Sequence, residues 1–102
     1  MSGINGYAQR GDVSKKIHKE QQEITTTLSA LTSEQLGGIE EIYKTHESNV
    51  LNAFSSGNRS SIKLKIEALR DRKDAQMKNV LTDEQYVSYL ELVSKYNSGR
   101  PW

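Results

Sequence analysis

Few residues of this chain are of a type and spacing that could do chemistry. The two histidines, His18 and His46, are the natural metal ligands, and Glu20, Glu47 and Met77 could complete a small site around them. Neither histidine has a second histidine four positions away, and twenty-eight positions separate the pair. A half-buried, hydrogen-bonded His46 and an exposed His18 suit that spacing better than a metal centre. Catalytic signatures are missing: no G-x-S-x-G, no H-E-x-x-H, no phosphate-cradling glycine loop and no cysteine. The expectation is a protein that is not an enzyme and carries no cofactor.

A different kind of chemistry is suggested by charge. Residues 59–80 hold seven basic side chains against three acidic ones, whereas residues 31–58 hold four acidic against one basic. Such an imbalance suits an acidic helix neutralising a basic one, or a basic rim attracting acidic clients. Lys73 stands near the middle of the apolar stripe Ile62, Ile66, Leu69 and Met77. A lysine there either snorkels out of a thin core or lies on a surface that is not fully buried.

These residues must be positioned by helices. At 102 residues the chain is one small domain, and its apolar fraction of 34% suits thin amphipathic helices better than a broad sheet core. Val13, Ile17, Ile24 and Leu28 share one face of a first helix. Leu36, Ile39, Ile42, Tyr43, Val50, Ala53 and Phe54 share a face of a second, from about Ser33 to Ser56, although Gly37 and Gly38 each cost it about 1 kcal/mol. A third runs from about Ser61 to Asn79. The fourth, from about Asp83 to Tyr96, carries Tyr86, Tyr89, Leu90, Val93 and Tyr96 together. The class is all-α, four helical segments built on a long antiparallel hairpin of the second and third. Residues 12–97 form the domain, with an irregular tail at 1–11 and another at 98–102. Small residues at Gly6 and Ala8 could mark a processing site before Gln9, or belong to an ordinary tail. A net charge of +1 argues against a nucleic-acid partner, and no apolar run is long enough to span a membrane.

Two helix starts are spelled almost identically: Leu31-Thr32-Ser33-Glu34-Gln35 and, fifty positions on, Leu81-Thr82-Asp83-Glu84-Gln85. Thr32 with Gln35, and Thr82 with Gln85, form capping boxes. Leu31 with Leu36, and Leu81 with Tyr86, form hydrophobic staples. Negative charge at Glu34, Asp83 and Glu84 favours the positive end of each helix dipole.

The paired Leu-Thr-x-x-Gln motifs, one before the long hairpin and one before the last helix, resemble the LTXXQ-motif family of Spy/CpxP-like periplasmic proteins. The resemblance covers roughly residues 12–97. It implies an exported, cradle-shaped homodimer that binds unfolded or partner proteins without ATP, as a chaperone or an envelope-stress modulator. Clients would lie on the concave hairpin face, on Ile62, Ile66, Leu69, Lys73 and Met77, with Arg59 and Arg70 adding charge. Some relatives bind metals, and His18, His46 and Glu47 are the weak candidates for that alternative. The closer spacing of the two motifs here implies a shallower cradle, and the chain lacks the methionine and histidine enrichment of longer members.

Overall fold

The computed structural model describes the backbone of residues 2–55 and 58–97, and the side chains of residues 11–55, 58 and 60–96. Among them are four helices and no strand: α1 Ser2–Thr27, α2 Ser33–Ser55, α3 Arg59–Val80 and α4 Asp83–Asn97. The helix α2 packs along α3 and against α1, and α4 closes the ring by touching both α1 and α3. The hairpin's open side is therefore covered by helices of the same chain. A second copy is not needed to bury the core.

The stripes read from the sequence become that core. Val13, Ile17, Ile24 and Leu28 from α1 meet Ile39, Ile42, Tyr43, Val50 and Ala53 from α2, Ile66 and Met77 from α3, and Tyr89, Leu92 and Val93 from α4. Two expected members lie largely outside it. Leu36 and Leu90 are 41% and 39% exposed.

Helix α1 begins at Ser2, so residues 2–11 are helical rather than an irregular tail. No proline interrupts this stretch, and a helix seeded by the buried stripe propagates outward at little cost per residue. The C-terminal tail at 98–102 lies outside the described residues. At the hairpin turn Asn58 caps α3, its side chain accepting from the Ser61 N–H at 2.9 Å, which starts the helix two residues earlier than its apolar stripe suggests. Gly37 has open space where a side chain would be. A Cβ on Gly38 would stand 3.3 Å from both methyls of Val80, so the end of α3 packs closely over Gly38. Ala30 turns the chain out of α1 with φ at 58°, a left-handed conformation costing roughly 1 kcal/mol for a residue with a Cβ.

Both capping boxes form. Thr32 N–H donates to Gln35 Oε1 at 2.9 Å and Gln35 N–H to Thr32 Oγ1 at 3.0 Å; the Thr82 and Gln85 equivalents are 3.0 and 3.2 Å. The glutamines also cross-link. Gln35 Nε2 donates to Gln85 Oε1 at 2.7 Å and to the Val80 carbonyl at 3.1 Å, while Gln85 Nε2 donates to the Ser29 carbonyl at 2.9 Å. Each glutamine thus opens its own helix and satisfies a carbonyl where the chain leaves a helix of the other junction. Glutamate would close the box as well but has no N–H to give. Gln35→Glu is accordingly expected to cost about 2 kcal/mol through two lost donors and an acceptor facing an acceptor, against about 1 kcal/mol for the cap deletion Thr32→Ala. Urea denaturation checks the order, and a Gln35→Glu variant as stable as the wild type removes the cross-link from the account.

Candidate functional site

Among the described residues, two polar clusters and two surface pockets stand apart from the apolar core; one pocket, of about 530 Å³, lies at the helix junctions beside Gln35 and Gln85, and the other lies on the hairpin. The first cluster is central. Val13, Ile17, Ile24 and Leu28 leave a gap in the α1 stripe at Glu20, and Ile66, Leu69 and Met77 leave one in the α3 stripe at Lys73. The two gaps face each other. Lys73 Nζ donates to Glu20 Oε2 at 2.7 Å, with both side chains only 3–4% exposed. The Tyr43 hydroxyl from α2 donates to the same oxygen at 2.6 Å. The Lys73 ammonium also lies 5.1 Å from the centre of the Tyr43 ring and 5.9 Å from that of Tyr89, within cation–π range. Tyr89, on α4, donates its hydroxyl to Asp74 at 2.5 Å. One connected polar cluster therefore takes a side chain from every helix.

Titration behaviour follows from this placement. Burial, then the negative charge of Glu20, pushes the Tyr43 hydroxyl well above its usual range. Burial and Asp74 do the same to Tyr89. Burial also raises Asp74, against the pull of the Tyr89 hydrogen bond and the Lys73 charge. Lysine, glutamate and tyrosine in contact can serve acid–base catalysis in principle. Here the free space beside Lys73 is about 10 Å³, no more than one water needs.

The second cluster ties α1 to α2 nearer the surface. Glu47 accepts from the Ser14 hydroxyl and, at 2.8 Å, from His18 Nε2. Partial burial pushes the Glu47 carboxyl up, but the Ser14 and His18 hydrogen bonds and the His18 charge outweigh it and hold the group below its ordinary value. Of the weak metal candidates, His18 and Glu47 are brought together. His46 is not with them; it is buried, 6.4 Å from the Tyr43 ring in an edge-on arrangement. Among the described residues no three His, Cys, Asp or Glu side chains are grouped to hold a metal ion.

The residues expected to form the client face lie mostly in the core. Ile66 and Met77 are fully buried and Lys73 nearly so, and Ile62 and Leu69 pack at the core's edge. The inner side of the hairpin is covered by α1, against α2, and by α4, against α3, so Lys73 neither snorkels nor lies open. Arg70 is half-buried, with its Nη1 buried and unbonded among the described residues. The Arg59 side chain lies outside the described residues. The signal missed in the sequence was Glu20, an opposite charge in the matching gap of another stripe.

What lies open is the other side of the hairpin. A shallow groove of about 410 Å³ runs along the outer seam of α2 and α3. Ala53, Ala68 and Leu69 form its floor, Asn49 and Asn52 line the α2 side, and Lys65 and Arg72 the α3 side. Leu64, 67% exposed, stands one turn before Ala68 on the same face of α3. No family model, curated protein or solved structure matches the chain.

Removing one member of the buried pair strands the other's charge. Glu20→Gln and Lys73→Met are each expected to cost about 3–5 kcal/mol, while Glu20→Leu combined with Lys73→Met recovers most of that loss. Chemical denaturation of the single and double variants tests this; additive losses would mean that the two groups do not interact as described.

Glu47 supplies a pH test. Its folded value lies below the ordinary 4.5, so its contribution is present above that pH and fades as the pH falls through it. Wild type is expected to melt above Glu47→Gln at pH 6, with the gap closing towards pH 3. A gap that widens in acid contradicts the assignment.

Proposed function

We propose that this chain is a non-catalytic, ATP-independent protein-binding module of the Spy/CpxP-like kind, exported and acting as a chaperone or stress modulator. The observation that carries this reading is the groove on the outer α2–α3 seam. It combines an apolar floor with two cations and two amides, the mixture that suits weak, plural and reversible contacts with another polypeptide. The working surface is therefore displaced from the inner face, which the core uses, to the outer one. Of the residues expected to hold clients, Leu69 alone belongs to both faces.

The paired Leu-Thr-x-x-Gln boxes support the resemblance to the LTXXQ family, since both cap a helix and their glutamines meet. The homodimer that the resemblance implies is also part of this proposal. It would form between already closed bundles. A metal-binding reading has only the His18 and Glu47 pair behind it, one donor short of the three protein ligands common at zinc sites.

The test is light scattering from a chemically denatured substrate diluted into stoichiometric protein without nucleotide. Wild type is expected to suppress aggregation, and Lys65→Glu with Arg72→Glu to weaken that suppression while leaving the melting temperature within a few degrees. No suppression by the wild type would sink the proposal. Lys73→Glu is not a useful probe, because it places two carboxylates together in the core.

A further inference from the structure

We infer that the pocket at the helix junctions binds a neutral, polyhydroxylated small molecule of the size of a sugar. The pocket measures about 530 Å³, within the range of small-ligand sites. Three helix ends meet around it: Thr27 closes α1, and the capping boxes begun by Thr32 and Thr82 open α2 and α4. It shares no residue with the groove on the outer seam, so the protein-binding reading neither needs it nor falls with it.

The hydrogen bonds its walls still have to make decide the ligand. Gln85 is only 9% exposed, and its Oε1 accepts from the Thr82 N–H and from Gln35 Nε2. Its Nε2 gives one hydrogen to the Ser29 carbonyl, and the second has no acceptor among the described residues. A free donor on a side chain nine-tenths buried needs an acceptor from whatever fills the pocket. Thr32 and Thr82 accept the box N–H groups at 3.0 and 3.2 Å, so their hydroxyl hydrogens are left to donate. The Ser88 hydroxyl has no partner among the described residues and can give or accept. Glu84 is the one charged side chain among the lining residues, and its carboxylate accepts.

These groups disfavour the other ligand classes. An anion would meet Glu84 with no lysine, arginine or histidine lining the pocket to offset it. A cation would face the positive ends of two helix dipoles. An apolar molecule would leave the Gln85 donor and the threonine hydroxyls unpaired. A hydroxyl group both donates and accepts, so neighbouring hydroxyls of one ligand can give to Glu84 and take from Gln85 and the threonines. No aromatic ring lines the pocket to stack on a sugar face, which sets the expected Kd at roughly millimolar.

The probes are glucose and maltose, beside gluconate and protonated glucosamine, which keep the hydroxyls and add a charge of either sign. Binding to the full chain is read from backbone amides and the Gln85 side-chain amide in nitrogen-edited spectra. A neutral sugar is expected to shift Ser29, Glu84, Ser88 and the Gln85 side chain saturably, and to bind roughly threefold or more tighter than either charged counterpart. Glu84→Leu with Ser88→Leu, both exposed and outside the Thr82–Gln85 bonds, is expected to weaken the sugar about tenfold while the melting temperature stays within a few degrees. Shifts that grow linearly without saturating overturn the inference, as do saturable shifts centred on another face. So does gluconate or glucosamine binding as tightly as the neutral sugars, since charge then does not select. Unchanged affinity in the double variant overturns it too, because the sugar then sits elsewhere.

Discussion

The structure depends on one ion pair placed where a small protein can least easily accommodate it. Glu20 and Lys73 meet in the centre of a bundle whose chain is 34% apolar, with both charges removed from water. Desolvating two ions costs as much as their attraction returns, so the pair is weak evidence for stability. Its value lies in register. An α1 stripe carrying a carboxylate and an α3 stripe carrying an ammonium can be buried together in one alignment, and any slip by a turn strands both charges. The Tyr43 hydroxyl on Glu20 Oε2 and the two tyrosine rings beside the ammonium extend that requirement to α2 and α4. Four helices are thereby held to one arrangement by groups that contribute little to its depth.

A second constraint acts at one end of the bundle. The two helix junctions lie side by side, and the paired glutamines let each serve the other. Local rules account for half of this device: threonine before and glutamine three residues later close a box at each helix start. The other half is tertiary, since the donors left over on Gln35 and Gln85 reach carbonyls some fifty residues away. Close approach at this end is possible because Gly38 gives Val80 room. The ion pair aligns the middle of the helices, and the glutamines tie their ends.

Much of this was legible in the sequence. Helix number, the starts at Ser33 and Asp83, both capping boxes and most core positions follow from periodicity and capping chemistry. The cross-link between the boxes was not legible, because it depends on which junctions become neighbours, although the choice of glutamine over glutamate at both sites was its trace. Lys73 stood out in its stripe. Both readings of it, snorkelling from a thin core or lying on an open surface, left out the helix that covers it, and Glu20 was the residue that named that helix. Leu36 and Leu90 fail for a related reason: a helical wheel assigns a face but not how far a neighbour extends over it.

These constraints also locate where function can reside. The inner face is spent on register, with about 10 Å³ of free space beside the Lys73 side chain. Helices α1 and α4 occupy the side of the hairpin that a cradle would present, and on the outer seam apolar contact and cationic charge coincide. Polar and charged residues make up its walls, and small ones its floor, so the groove can remain open to water without driving aggregation. Binding there does not require the core to open. On the proposed protein-binding role, a partner comes and goes while the buried ion pair stays intact, a fixed interior beneath a lightly built exterior.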